Sequence, residues 1–517
     1  MKKFLLTVLL LIAASMSLPI AAYGAQGFML GNEVLMQDRH NLIEGKRVGL
    51  VTNQSGVTSD GESMIDVLAE DSSIQLTALF GPEHGIDGKA GAGAYVKSYT
   101  HPQLGIPVYS LYGDSRMPSQ DMFAKIDVLV FDIQDIGARS YTYMSTLNYC
   151  LVAAAKYGKP VIVLDRPNPL GGTLVEGPVL EDPYKTFVGV DNLPMAHGMT
   201  ACELAKFFNR NIGADLTVVP MKGYKRTMIY QDTGLKWVQT SPNIPNLDSV
   251  FGYMATGLGE GTGIYQADKF TWIGGKGIDS IKFAKLLNNS GLQGITYLPE
   301  AQGAAGGVRL KITDYHLFNP AKAGIYALAY AHQLTDFKVP VSGTSVVMFD
   351  KIMGTNKIGQ YLQQGLTPQQ ITAKYAPALA KFKAERAKYL IADYGSAVGT
   401  GDITVFIDGT QLFFDVNPYI DSSKRTMVPF RGIAEALGAT VDWSPGVGTI
   451  TITSKTEKIV FTVNKNYVTV NGTRKIIDTQ PVIKNGRTMV PARYVAEFLG
   501  ADVKWEPGVL RVIITSK

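Results

Sequence analysis

The chain has 517 residues, 46% of them hydrophobic and 18% charged, with a formal net charge of +5. That length accommodates about two to four domains with sizeable cores, and the balance excludes an intrinsically disordered chain. Lysines and arginines are scattered along it, so the mild positive bias forms no nucleic-acid footprint.

Lys2 and Lys3 precede an apolar run from Phe4 to Ala14, and small residues follow at Ala21, Ala22, Gly24 and Ala25. The pattern predicts a signal peptide over residues 1–25, because the run falls short of the about 20 apolar residues that a membrane-spanning helix needs. The expected mature protein is secreted, extracellular or cell-wall associated, with no integral membrane segment.

From Lys46 to about Met221 short β-branched runs alternate with helical ones, which predicts a largely parallel sheet in a domain of residues 28–221. Val128–Phe131 and Val161–Leu164 are apolar throughout, as strands covered on both faces are. Each run empties into a polar loop. Arg47–Val51 leads to Thr52-Asn53-Gln54-Ser55, and the run from Ala78 leads to Gly81-Pro82-Glu83-His84-Gly85. Val128–Phe131 leads to Asp132-Ile133-Gln134-Asp135, and Val161–Leu164 to Asp165-Arg166-Pro167-Asn168. Ligands in open α/β sheets sit beyond the carboxyl ends of the strands, so these loops are expected to converge on one site. No G-x-G-x-x-G follows the first strand, and no Walker-type loop, G-x-S-x-G elbow or H-E-x-x-H motif occurs, so neither a cofactor nor a metal is expected. Cys150 and Cys202 fall in helix-like segments and read as unpaired buried thiols.

Residues 222–394 have Gly-rich connections, a strand candidate at Val308–Ile312 and helices starting at Ala321 and Pro368. Thr367 and Gln370 stand in capping-box spacing around Pro368 at the first helical position. This stretch is expected to form a smaller α+β auxiliary domain, and residues 395–402 a linker. Residues 403–517 contain an internal repeat. Arg425-Thr-Met-Val-Pro429 recurs as Arg487-Thr-Met-Val-Pro491, 62 residues on, and the same offset relates Trp443 to Trp505. Each copy continues into a short helix, ended by Gly438 or Gly500, and then an alternating strand.

Those repeats resemble the copper amine oxidase N-terminal-like domain. No His or Cys occurs after His332, so they lack the soft ligands that copper prefers and read as a structural or cell-wall attachment module. The region before them resembles the exo-β-N-acetylmuramidase family, the NamZ-type glycoside hydrolases. The matching segments are Gly49–Gly56, Ala78–Gly88, Val108–Gly113, Val128–Thr142, Leu164–Gly172, Val175–Pro178, His197–Thr200 and Ser241–Pro245. The resemblance implies a Rossmann-like domain beside the auxiliary domain, with the active site in the cleft between them. It further implies release of N-acetylmuramic acid from the non-reducing ends of peptidoglycan fragments, and it maps the catalytic glutamate onto Glu83. One segment departs from the family. After Glu260-Gly261-Thr262 a run containing an arginine is usual, whereas this chain has Gly263-Ile-Tyr-Gln-Ala-Asp-Lys-Phe270. An arginine able to pair with an anionic sugar substituent is missing there, which opens the substrate range to a related amino sugar.

Glycoside cleavage needs a proton donor to the leaving oxygen and stabilisation of an oxocarbenium-like centre, which most families obtain from two carboxyl groups. Glu83, in its glycine-rich loop, is the donor candidate. Asp132 is the first choice of partner among Asp132, Asp135, Asp165, Glu176 and Glu260; alternatively the 2-acetamido group of the substrate is itself the nucleophile and a carboxylate only orients it. His84 and His197 are expected to touch substrate or position Glu83. Asn53, Gln134, Asp135, Arg139, Tyr141, Asn168 and Glu260 suit sugar hydroxyl, acetamido or carboxylate contacts, although any of them equally serves to brace loop backbone. A competing reading is a non-catalytic cell-wall or glycan-binding surface protein that keeps the cleft without turnover.

Overall fold

The computed structural model describes residues 28–395 and 403–517 apart from 413, 415, 417, 422, 445, 485, 486 and 507–509. The expected signal peptide and most of the expected linker lie outside the described residues.

The first sheet is built from β1 (Arg47–Thr52), β2 (Gln75–Gly81), β3 (Tyr99–Thr100), β4 (Pro107–Ser110), β5 (Val128–Asp132), β6 (Val161–Leu164) and β7 (Leu216–Val219), in the order β3-β4-β2-β1-β5-β6-β7. All pairings are parallel except that of β3, a short antiparallel edge. The chain winds outward from β1 through β2 and β4, then crosses back to β5 and continues through β6 and β7. This is the doubly wound, Rossmann-like order, and it opens a crevice at the carboxyl ends of β1 and β5, where Thr52 pairs with Asp132. Successive side chains on a strand point to opposite faces, and both faces here are apolar. Leu129 and Phe131 of β5 join the core on one side, while Val128 and Val130 join that on the other. The helix Tyr143–Tyr157 covers one face and stops at Gly158, whose φ of +63° suits a residue without Cβ.

The second unit carries an antiparallel sheet of β8 (Ile264–Ala267), β9 (Trp272–Lys276), β10 (Ile295–Pro299) and β11 (Ala305–Ile312), in the order β10-β11-β9-β8. Helices Leu247–Thr256 and Ser280–Asn288 pack on it, and Pro320–Thr335 packs on both of those helices. The helix Pro368–Arg386 starts at the expected capping box, with the Thr367 amide donating to Gln370 Oε1 at 2.9 Å and the Gln370 amide to Thr367 Oγ1 at 3.3 Å. Its far end returns to the first domain. Phe382 and Tyr389 pack on Phe207 with ring centroids 5.7 and 5.4 Å away, and the Arg226 amide donates to the Tyr394 carbonyl. Arg226, itself buried, pairs with buried Glu203 at 2.6 Å. One hydrophobic core therefore runs from the first sheet through the auxiliary helices to Tyr394.

The terminal module has a core of its own. The Arg-Thr-Met-Val-Pro strands of its two copies pair antiparallel, with Val428 opposite Val490, about a local dyad. The first copy's sheet is a five-stranded meander ending at Thr473–Ile476. In the second copy the strand Arg511–Thr515 pairs directly, and in parallel, with Thr404–Ile407 at the start of the module. The module touches the auxiliary domain through Arg511, which pairs with Asp314 at 2.7 Å and lies over Phe406, 4.3 Å from its ring centroid. Phe406 meets the His316 ring edge-on at 5.2 Å.

Separate cores predict separable folding. A chain ending at Gly395 should keep the melting behaviour of the first two units, whereas one ending at Leu390 should lose it, because buried Arg226 then loses its bonds to the Ile391, Tyr394 and Gly395 carbonyls and Asp165 its bond from Tyr394. Circular dichroism melts of the two truncations check this. Tyr394 donates to Asp165 at 2.5 Å, and burial raises that carboxyl from 3.8 to about 7 despite the bond. An acid with a raised pKa contributes stability below its ordinary value that is lost as pH rises through the raised one. Removing the hydroxyl in Tyr394→Phe strands the Met221 amide, which donates to it, at either pH and withdraws more support from the ionised Asp165 than from the neutral form, so the loss, about 1–3 kcal/mol, should be larger near pH 8 than near pH 5 in denaturant titrations.

Candidate active site

The four strand-end loops meet and are tied to one another. The Gln134 amide donates to Ser55 Oγ at 3.0 Å, joining the loops after β5 and β1, and Gln134 Nε2 reaches the Pro167 carbonyl after β6 at 2.8 Å. The loop after β2 turns sharply, with φ of +72° at His84, +79° at Gly85 and +70° at Gly88. A positive φ at a residue as bulky as His is uncommon, and such positions cluster at functional sites. His84 Nδ1 donates to the Ala90 carbonyl at 2.6 Å and pins the turn. A Cβ on Gly88 would come within 2.2 Å of the Gln54 side chain, which donates to the carbonyls of Gln239 and Thr240.

The turn presents Glu83, which is only 8% exposed. Its Oε1 accepts from the Gly93 amide at 2.8 Å and its Oε2 from the Thr142 hydroxyl at 2.5 Å. Aromatic rings pack beside it. Tyr141 and Tyr143 pack edge-on at 4.8 Å, and Tyr253, from the auxiliary helix Leu247–Thr256, meets Tyr141 at 5.7 Å. Tyr141 donates to Thr240 Oγ1 at 2.9 Å and Tyr143 to the Thr240 carbonyl. Burial pushes the Tyr253 phenol up to about 12, the bond with Ser140 opposes this, and the charges of Glu83, Asp135 and Glu260 add to it. Tyr253 thus brings a neutral hydroxyl near carboxylates from both domains; Glu260 itself is exposed.

Asp135 Oδ2 accepts from the Gly137 amide at 2.8 Å, while its Oδ1 is buried with no partner. His197 Nδ1 accepts from the Met199 amide, which places the proton of a neutral ring on Nε2, 3.5 Å from Asp135 Oδ2. That Nε2 is likewise buried without a hydrogen bond, and Asn53 Nδ2, near the Tyr143 hydroxyl, completes none. Buried polar groups are nearly always paired, so these three atoms are open to a polar ligand.

Other expected site residues are spent elsewhere. Asp132, the first choice of second carboxylate, has no exposed surface and is bound by Arg166 at 2.6 and 2.9 Å. It is a neutralised strut, not a cleft acid. Arg139 is 4% exposed and donates to the carbonyls of Pro178, Leu193 and Ile352, so it bridges to the auxiliary domain and, among the described residues, forms no ion pair; burial lowers its guanidinium to about 9. Gln134 and Asn168 brace the loops through the Asp135, Pro167 and Met199 carbonyls. The sequence reading passed over Thr142, Tyr253 and Thr240. Thr142 ends the long motif from Val128 and Thr240 precedes Ser241-Pro242, but Tyr253 carries no local signal. Among the described residues no group of three His, Cys, Asp or Glu side chains gathers as a metal site, and Cys150 and Cys202 are buried and unpaired.

Comparison with known proteins identifies the family. Residues 48–248 match the N-terminal model, and residues 251–391 the C-terminal model, of exo-β-N-acetylmuramidase NamZ. The chain is 43% identical over 378 residues to the peptidoglycan β-N-acetylmuramidase NamZ of Bacillus subtilis (strain 168), covering 70% of this chain and 90% of that protein. The chain belongs to the NamZ family, and it is a glycoside hydrolase. Two crystal structures of DUF1343 family proteins from Bacteroides fragilis NCTC 9343 are also similar. One, at 35% identity and a TM-score of 0.64, covers 71% of this chain and 99% of its own; the other, at 27% and 0.55, covers 70% and 98%. Residues 406–514 match the copper amine oxidase N-terminal domain model. The segment that departs from the NamZ pattern forms β8 and a turn in which Asp268, Lys269 and Phe270 all have positive φ. It places the Phe270 ring 5.0 Å from Tyr253, so the segment backs the site with an aromatic ring.

The two aspartates should separate by stability. Asp132→Ala strands the buried Arg166 charge and should cost about 3–5 kcal/mol, whereas Asp135→Asn keeps an acceptor for Gly137 and should stay within about 1 kcal/mol of the unaltered protein in denaturant unfolding.

Proposed function

We propose that this protein is a secreted, exo-acting glycoside hydrolase that releases N-acetylmuramic acid, or a related amino sugar, from the non-reducing ends of peptidoglycan fragments, with Glu83 as the catalytic acid/base. The observation that carries the reading is the Glu83 carboxyl, fixed by Gly93 and Thr142 on one of the strand-end loops, together with the partnerless buried atoms that Asn53 and Asp135 on two other such loops and His197 present. The 43% identity to a peptidoglycan β-N-acetylmuramidase supports the substrate class.

Breaking the glycosidic bond requires a proton on the leaving oxygen as the C–O bond opens, and removal of a proton from the incoming water. Glu83 serves both steps, donating first and accepting afterwards, while its two bonds hold the carboxyl in one rotamer. Asp135 replaces Asp132 as the second carboxylate. Its open Oδ1 accepts the acetamido N–H of the sugar and so aims the acetamido oxygen at the anomeric carbon; His197 steadies the other oxygen. Asn53 Nδ2 supplies a donor for a sugar oxygen, and the rings of Tyr141 and Tyr253 form an apolar wall. Residues 1–25 export the chain, and the terminal module retains it on the wall; the charge-and-apolar pattern of Lys2 to Ala14 and the module's separate core support these two roles.

Glu83→Gln removes a transferable proton and almost no volume. On an aryl N-acetyl-β-muramide it should lower kcat by about 10³-fold with an unchanged melting curve, and Asp135→Asn by about 10²-fold. Near-normal turnover in the Glu83 variant refutes its role as acid/base.

A further inference from the structure

Beside Glu83 lies a cation that the proposed chemistry leaves unused. The Val96 amide donates to the Tyr112 carbonyl at 3.2 Å, so the loop after β4 lies against the one whose Gly93 holds Glu83. The Tyr112 phenol is raised by burial first and then by the Glu83 charge, and lowered by Arg116, so both charges act on the one phenol. Arg116 lies over two rings, its guanidinium carbon 4.7 Å from the centroid of Tyr112 and 4.4 Å from that of Phe187. The rings are 5.8 Å apart, and Phe187 is backed by Tyr149 at 5.3 Å. Arg116 is nevertheless exposed and, among the described residues, forms no ion pair, with the acid of its own loop, Asp114, included.

Aromatic rings orient a guanidinium without consuming its N–H groups, which remain free along the edge of the fork. That edge matches a carboxylate bidentately, which the point charge of lysine does not. We propose that Arg116 is a specificity-determining residue that reads an anionic substituent of the terminal sugar, binding the carboxylate of a 3-O-lactyl group while Glu83 acts on the glycosidic oxygen. The assignment rests on the function proposed above. It supplies, from the loop after β4, the cation that the Gly263–Phe270 segment lacks.

The test compares an aryl N-acetyl-β-muramide with its methyl ester, identical except for the charge. The unaltered protein should favour the acid. Arg116→Ala should lower kcat/KM on the acid about 30-fold, chiefly through KM, and leave the ester unchanged, so that the preference collapses; Arg116→Lys should recover part of it. Added salt should erode the preference in the unaltered protein, since the pair is exposed. Equal losses on acid and ester, or no loss on either, overturn the role of Arg116 while leaving the muramidase reading intact. If the unaltered protein cleaves neither muramide, that reading fails and takes this one with it.

Discussion

The Arg166–Asp132 ion pair is the fixture on which the cleft floor rests. Arg166 leaves the end of β6, grips Asp132 at the end of β5 through two nitrogens, and donates to the Val57 carbonyl beyond β1 at 2.7 Å. Asn32 adds bonds to the same carbonyl and to Asp132. Two opposite charges withdrawn from water tolerate the loss of neither partner, so the ends of these strands are held in one arrangement. The switch-point crevice of an open α/β sheet often receives a phosphate; here its base is closed by the protein's own charges, and the working groups stand on the loops above.

Those groups divide according to what their oxygens meet. Asp132 meets a cation, and Asp165 meets the donors of Thr200, Cys202 and Tyr394. Glu83 meets an amide and a hydroxyl, and Asp135 keeps one oxygen open. All four are buried. Burial by itself therefore does not tell these four carboxyls apart; what sets Asp135 apart is an oxygen that no partner satisfies, and what sets Glu83 apart is that its partners are uncharged groups of the strand-end loops.

The sheet was legible because its strands are unbroken apolar runs ended by polar loops, and the place of Glu83 in a turn at such an end was legible from the glycines around it. The roles of Asp132 and Arg139 were not. Their partners lie far along the chain, 34 residues away at Arg166 and 213 at Ile352, and no local pattern announces them. Asp135 was among the candidates, but what raises it above Asp132 is an absence of partners that only the fold reveals. Near residue 394 the long-range partners are equally silent in the sequence: Tyr394 is bound to Asp165 of the first domain, and the Gly395 carbonyl, where the linker composition begins, accepts from Arg226.

The closure of the terminal module on its own first strand has a topological consequence. Thr404–Ile407 and Arg511–Thr515 lie side by side, and the Ser516 amide donates back to Asp408 at 2.8 Å, so the chain enters and leaves the module at one spot. A unit with adjoining ends is a portable cassette, able to be appended to a host or spliced into one without forcing the flanking segments apart. The arginine that docks it on the auxiliary domain sits on that same closing strand, so a single strand both completes the cassette and fastens it to its host.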